Sequence, residues 1–186
     1  MPKLLSADHI AGAGADGAFE PQRTNNFELV VSPPGGGNGD ILQLSIKAFP
    51  LPKQETSVIE IPYGNEIRKA AGRTTYAPLE ATFHDYVDQD TLQILNNWRL
   101  RVYNPKNGSV GWAKEYKVEG TLLLFGPDGE STRSWTLKGL WPSSLDPGSP
   151  DMENAEKNLI SCTFAIDKAE EDTVANPLEV AVFVAG

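Results

Sequence analysis

Two glycine-rich stretches are candidates for loops that bind phosphate groups. Residues 12–17 read Gly-Ala-Gly-Ala-Asp-Gly, which matches the GxGxxG spacing of dinucleotide-binding loops. Such a loop works only between a strand and a helix, because the helix N-terminus binds the pyrophosphate. Here a short N-terminal stretch precedes the match and an alternating, strand-like segment follows it. The run at residues 35–39 lacks the Lys-Ser or Lys-Thr pair of a P-loop. We therefore predict that neither run binds a cofactor.

The other residues with chemical potential are few and scattered. His9 and His84 have no partner at the His-x-x-x-His spacing of a metal-binding helix. Cys162 alternates with apolar residues, which is typical of a buried thiol, and no serine lies in a Gly-x-Ser-x-Gly turn. The acidic run at residues 170–172 is typical of a solvated surface, with calcium binding as the less favoured alternative. We predict a protein that is not an enzyme and has no catalytic, cofactor-binding or metal-binding residues.

Length and charge limit the possible partners. The chain has 186 residues, enough for one domain with a buried core. Its formal net charge is −9, and residues 146–186 supply most of it, with two basic and nine acidic side chains. Nucleic acid backbones bind dense positive charge, so this chain has no general attraction for them. No apolar run has the length of a membrane span and the N-terminus lacks a secretory pattern, so we expect no membrane partner.

Alternating apolar and polar side chains predict a mainly β protein. The predicted fold class is an antiparallel two-sheet β-sandwich or barrel with one flanking α-helix. The helix is predicted over residues 88–103, where Leu95, Trp98 and Val102 recur at helical spacing. The segments at 27–31 and 42–48 are expected to pair as a hairpin around the glycine-rich turn between them. Further strands are predicted at residues 56–61, 79–84, 116–125, 131–141 and 160–166.

One predicted strand carries two tryptophans and reads SWTLKGLWP. Strict alternation places Trp135, Leu137, Gly139 and Trp141 on one face. Gly139 would leave space for a bulky neighbour such as Trp98 of the helix, and the proline at 142 would end the strand. We interpret this strand as part of the core rather than as a binding site. The predicted core residues are Trp98, Trp135, Leu137, Gly139, Trp141 and Phe164.

The order of several short motifs resembles one known family. The strand ending Lys-Gly-Leu-Trp-Pro at 138–142, a polar loop, and the closing strand ending Ile166-Asp167 are similar to the C-terminal half of the tail tube protein of contractile-tailed bacteriophages. The segment 65–85, with Gly-Arg-Thr at 72–74, resembles an upstream part of that family, and the helix around Trp98 falls where the family has its helix. The resemblance covers residues 23–168. An N-terminal arm at 1–24 and a C-terminal tail at 170–186 flank the predicted domain at 25–169 and have no clear counterpart.

This resemblance implies a structural role without chemistry. Proteins of the tail tube superfamily, which includes type VI secretion tubes, form homohexameric rings whose inner sheets join into a β-barrel, and the rings stack into a tube. The implied partners are further copies of the chain, the tail sheath protein, the tape-measure protein in the lumen, and the baseplate and tail terminator proteins. DNA would pass through during ejection without specific binding. The implied location is the virion tail of a bacteriophage, assembled in the bacterial host cytoplasm.

The segment after the predicted third strand is our candidate for contacts between rings. It mixes both charge signs with turn residues, which suits a complementary contact between successive rings. An ordinary exposed loop is the simpler interpretation of the same pattern. The predicted inter-ring residues are Tyr63, Gly64, Asn65, Glu66, Arg68 and Lys69.

Two other classes of function fit the sequence. The chain could be a related component: a baseplate tube, a tail terminator, or the tube of a type VI secretion or injection machine. These components share the fold, so the fold cannot distinguish them. The second class is a β-sandwich module that binds carbohydrate or peptide through exposed tryptophans, and this interpretation requires indole rings at the surface.

Overall fold

The computed structural model of the chain describes residues 22–88, 90–149, 152–153 and 156–172. This part is mainly β, which confirms the predicted fold class. The strands are β1 (Phe27–Val31), β2 (Ile46–Ala48), β3 (Gln54–Tyr63), β4 (Glu66–Tyr76), β5 (Leu79–His84), β6 (Tyr103–Asn104), β7 (Ser109–Val110), β8 (Val118–Phe125), β9 (Ser131–Asp146), β10 (Leu159–Ala165) and β11 (Lys168–Asp172). The helices are α1 (Gly39–Ser45), α2 (Thr91–Val102) and α3 (Ala113–Tyr116).

Seven strands form one curled antiparallel sheet, and the long strand β9 belongs to both of its halves. The first half has the order β1-β8-β9-β11, and the second half has the order β9-β10-β5-β2. Residues 134–138 of β9 pair with β11, whereas residues 141–146 pair with β10. Because a strand that changes partners must bend, the sheet turns a corner within β9.

The corner lies at Gly139, whose φ of 69° is in the left-handed region. A Cβ at this position would lie 2.2 Å from the nearer carboxylate oxygen of Asp167, so only glycine fits. The group that approaches Gly139 is therefore Asp167, and not the helix residue Trp98 as expected. The Asp167 carboxylate also binds the ammonium group of Lys117, the residue before β8, at 2.6 Å.

The bend changes which side chains of β9 face the core. Trp135 and Leu137 are buried before the corner, whereas Leu140 and Pro142 are buried after it. Trp141 is half-buried on the opposite face and packs edge-on against the ring of Tyr116. The prediction of one continuous face through Trp141 is therefore wrong. The strand also does not end at Pro142, because β9 continues to Asp146.

The predicted hairpin near the N-terminus is wrong as well. β1 pairs with β8, and most of the expected second strand is helix α1. The Asn38 side chain caps this helix by accepting a hydrogen bond from the Asp40 N–H at 3.1 Å. Leu42 and Ser45, three residues apart, face the core, so the helical period prevails over the alternation in this short run.

Helix α2 covers the inner face of the sheet. It begins at Thr91, close to the predicted start, and buries Leu95 and Trp98 completely. The Trp98 indole N–H donates to the Tyr116 carbonyl at 2.7 Å, and its ring packs against Phe164. The buried core extends through the inner faces of β1, β5, β8, β9 and β10.

The first three residues of the predicted C-terminal tail at 170–186 lie in a strand. β11 runs to Asp172 and pairs along β9, so residues 170–172 belong to the sheet. At the other end, Gln22 already contacts the turn region between β8 and β9. The rest of the predicted arm and tail, residues 1–21 and 173–186, lies outside the described residues, and His9 and the GxGxxG match lie there too.

Candidate assembly surface

Strands β3 and β4 form a long hairpin that projects from the domain. They pair with each other from Gln54 and Tyr76 to a two-residue turn at Gly64-Asn65. Every residue of β3 is exposed, and so are nine of the eleven residues of β4. The two strands join no other sheet in the described part of the chain. An isolated two-stranded hairpin is at best marginally stable in water, so contact with a further surface would stabilise this element.

Both faces of the hairpin carry exposed apolar side chains. Ile59, Ile61 and Tyr63 alternate on one face, and Tyr63 is 76 % exposed. The other face includes Val58 and Ile67, with Ile67 62 % exposed. Polar side chains usually occupy the solvent faces of a sheet, so apolar residues on both faces indicate an interaction site.

The six predicted inter-ring residues lie together at the tip of this hairpin. Tyr63 pairs with Glu66, and Arg68 and Lys69 pair with Ile61 and Glu60 across the hairpin. All six are exposed. The same surface also includes apolar side chains that are not among the predicted residues, namely Val58, Ile59, Ile61 and Ile67. The sequence pattern that indicates them is a pair of adjacent apolar residues, Val58 and Ile59, in a strand that would alternate if only one face were apolar.

The first half of the sheet ends in two strands with free edges. Within the described residues, β1 pairs only with β8, and β11 pairs only with β9. Exposed strand edges present unpaired N–H and C=O groups, which pair readily with another strand. The half-sheet therefore has one open edge on each side.

The outward face of β9 and β11 in this half-sheet is polar. Glu170 on β11 binds the ammonium groups of Lys138 and Lys168 at 2.6 and 2.5 Å. The hydrogen bond from Lys138, followed by that from Lys168, lowers the pKa of Glu170 to about 2. Asp172 accepts a hydrogen bond from the Thr136 hydroxyl at 3.0 Å. The contacts of Lys138 with Glu170 and of Thr136 with Asp172 join β9 to β11 and leave a face with mixed charges.

The four tryptophans differ in their surroundings. Trp98 and Trp135 lie in the core together with Leu137 and Phe164 of the predicted set, while Trp141 is half-buried. Trp112 is 74 % exposed. The two indoles of β9, which were predicted to share one face, therefore lie in the core and on the opposite side of the strand.

The described residues contain no group of three or more His, Cys, Asp and Glu side chains placed to hold a metal ion. The Cys162 thiol is buried, and burial raises its pKa to about 12, with a smaller opposing effect from Arg99. A thiol in this state is a poor nucleophile. In the same part of the chain, no helix is long and apolar enough to cross a membrane.

No protein-family model and no curated protein matches the chain. Among solved structures, it is similar to a chain of the anti-feeding prophage tube-terminating cap, with 17 % identity, a TM-score of 0.67, and coverage of 87 % of this chain and 97 % of that one.

Two structures of an extracellular contractile injection system named PVC are also similar. The sheath/tube terminator in the extended state has 16 % identity and a TM-score of 0.66, over 84 % of this chain and 99 % of that one. The sheath–tube complex has 17 % identity and a TM-score of 0.64, over 83 % and 93 %. At these identities the likeness establishes the fold, so the chain has the fold of the tube and tube-terminating proteins of contractile injection systems.

Proposed function

We propose that this protein is a structural subunit of the tube of a contractile tail or injection machine, and not an enzyme. The observation that carries the proposal is the exposed β3–β4 hairpin, whose two apolar faces have no partner within the described chain. The fold shared with tube and terminator components supports it.

Rings form when the free edge of β1 in one copy pairs with the free edge of β11 in the next. Strand direction alternates through β1, β8, β9 and β11, so this new pair is antiparallel like the others. Such head-to-tail contacts close into a ring if the rotation between copies fits. In a ring of six, the joined half-sheets form a continuous barrel and remove the open edges.

Rings stack through the hairpin of each copy. Its apolar side chains become buried against the adjacent ring, which stabilises the contact by the hydrophobic effect. Arg68 and Lys69 provide positive charge beside the negative charge of Glu60 and Glu66. Charges of both signs on one element favour a single register between complementary surfaces.

The outward face of β8, β9 and β11 lines the lumen in this arrangement. It carries the carboxylates of Glu119, Glu170 and Asp172 and the ammonium groups of Lys138 and Lys168. A nearly neutral, slightly acidic wall does not retain DNA, because retention requires dense positive charge. The lumen then holds a tape-measure protein during assembly and passes DNA or protein cargo, while the sheath and baseplate contact the outside and the end.

Negative-stain electron microscopy of the purified protein at several concentrations tests the proposal. We expect hollow tubes or stacked rings with a uniform central channel. The double reversal Arg68→Glu/Lys69→Glu should abolish stacking and leave single rings or monomers, since both side chains lie in the stacking surface. The control Lys106→Glu/Lys114→Glu makes the same change in charge at exposed positions away from the hairpin. Tubes that form equally well from both variants would refute the stacking role.

A tube-terminating subunit is the second candidate, because two of the similar structures are of terminating assemblies. A terminator remains a single ring, whereas a tube subunit forms longer polymers as its concentration rises. The length distribution in the same micrographs therefore separates the two candidates. This comparison of lengths applies equally to a phage tail and to a secretion system.

A further inference from the structure

An apolar cavity lies where the described chain enters the fold. Its volume is about 200 Å³, and its apolar lining comes from Phe27, Phe49, Leu51, Leu122 and Leu124, with residues 22–24 at the rim. Leu51 is 50 % exposed, although Leu122 beneath it is buried. The cavity thus leaves apolar surface open to solvent at one end of the core, and covering it would stabilise the protein.

The rim of this cavity holds the incoming chain in place. The Gln22 side-chain amide donates to the Phe125 carbonyl at 2.8 Å, and its oxygen accepts from the Thr132 hydroxyl at 3.1 Å. These bonds anchor residue 22 to both strands of the β8–β9 hairpin. Gln22 is therefore held at a fixed point beside the opening.

The composition of the preceding segment identifies one side chain that can reach the cavity. Residues 11–18 consist only of alanine, glycine and one aspartate, so Phe19 is the single large apolar side chain between Ile10 and Gln22. Three residues span at most roughly 10 Å, which is enough to reach the lining from the rim. Pro21 restricts its own φ and disfavours helical backbone at the preceding residue, so the short connection loses less entropy on docking.

We propose that Phe19 inserts its ring into this cavity of its own chain. A cavity of about 150 Å³ lined by aliphatic and aromatic groups is large enough to hold benzene, so the space available here accepts a phenyl ring. The inserted ring would cover Leu51 and extend the aromatic cluster that Phe49 forms with Phe164. The N-terminal arm would then be attached to the domain at residue 19, before any assembly takes place.

A double-mutant cycle on the full-length monomer tests this contact. The variants are Phe19→Ala, Leu51→Ala and the two combined, and the measurement is urea unfolding at a concentration where light scattering shows a monomer. We expect Phe19→Ala to reduce the folding equilibrium constant about tenfold, as for a buried aromatic ring. In the Leu51→Ala background the same change should have a clearly smaller effect, because the two side chains share one contact.

Ile10→Ala is the matched control, because it removes a large apolar side chain from the same arm at a position nine residues before Phe19. It should change the equilibrium constant less than about twofold and be additive with Leu51→Ala. A second measurement needs no substitution: proton cross-relaxation in NMR spectra between the Phe19 ring and the Leu51 methyl groups. Additive effects of Phe19→Ala and Leu51→Ala, or the absence of cross-relaxation in the monomer, would overturn the proposal. Cross-relaxation between Phe19 and Leu51 that appears only after rings have formed would also overturn the proposal. The ring in the cavity would then come from a second copy of the chain.

Discussion

At Gly139 a single residue allows the sheet to turn. The substitution Gly139→Ala should lower the free energy of unfolding by about 2 kcal/mol or more, because a left-handed φ is costly for any other residue and the new Cβ collides with Asp167. Urea unfolding measures the change. Gly129→Ala is the matched control, since its φ of 82° gives a similar strain but nothing lies within 4 Å of the added Cβ. Equal losses in the two variants would show that the Asp167 contact does not matter.

A second consequence at the residue scale concerns pH and Glu170. The pKa of this carboxyl is lowered from 4.5 to about 2, so the charged form is favoured in the folded state. The resulting stabilisation is complete above the unfolded pKa and is lost as the pH falls through the folded pKa, between about pH 4.5 and 2. An NMR titration of the Glu170 carboxyl carbon should give a midpoint near the lower value. Lys138→Met should move that midpoint upward, and an unchanged midpoint would contradict the assigned cause.

At the scale of elements, the β3–β4 hairpin should contribute to assembly and little to the stability of the monomer. Ile61→Thr keeps a β-branched residue in the strand and removes apolar surface that is exposed in the monomer. We expect the free energy of unfolding of the monomer to change by less than about 0.5 kcal/mol. The protein concentration needed for tubes should rise about tenfold, because apolar area is lost from the contact between rings. Urea unfolding and sedimentation measure the two quantities.

The buried residue Leu29 provides a contrast for this prediction. Leu29→Ala removes side-chain volume from the core, so it should destabilise the monomer by roughly 2–5 kcal/mol. A similar loss of monomer stability in Ile61→Thr would mean that the hairpin packs on its own domain. That result would remove the main support for a stacking role.

The sequence predicted most elements but not how they combine. The alternation in β1, β5, β8 and β10 and the helical spacing in α2 are local patterns, so they are visible without tertiary structure. The corner at Gly139 depends on Asp167, almost thirty residues later, and no local pattern shows this contact. Helix α1 has the alternation of a strand as well as helical spacing, because a run of seven residues satisfies both periods. The tip of the hairpin was visible as a turn with charges, whereas its isolation from the rest of the sheet was not.

At the scale of the whole molecule, the charge on the face that lines the lumen should determine whether a tube retains DNA. If the outward face of β8, β9 and β11 lines the lumen, Glu119→Lys/Asp172→Lys should produce tubes that bind double-stranded DNA inside the channel. We expect this binding to weaken steeply with salt, because it depends on counterion release. The DNA should be protected from nuclease digestion, and unsubstituted tubes should retain none.

The control for this prediction is Glu80→Lys/Asp146→Lys. It makes the same change in charge at exposed positions on β5 and β9, in the other half of the sheet. DNA bound by these tubes should be digested, because it lies outside. Protection in the control and digestion in the first variant would reverse the assignment of inner and outer walls.

The state of Cys162 has a practical consequence for labelling. The chain has one cysteine, and its thiol is buried and stays protonated at ordinary pH. Maleimide reagents attack exposed thiolates, so the native protein presents them with no competing target. A cysteine introduced at the fully exposed position Met152 would then carry a fluorophore or gold cluster at one defined place per subunit. An assembled tube would display such groups at a regular spacing, which makes it a molecular ruler.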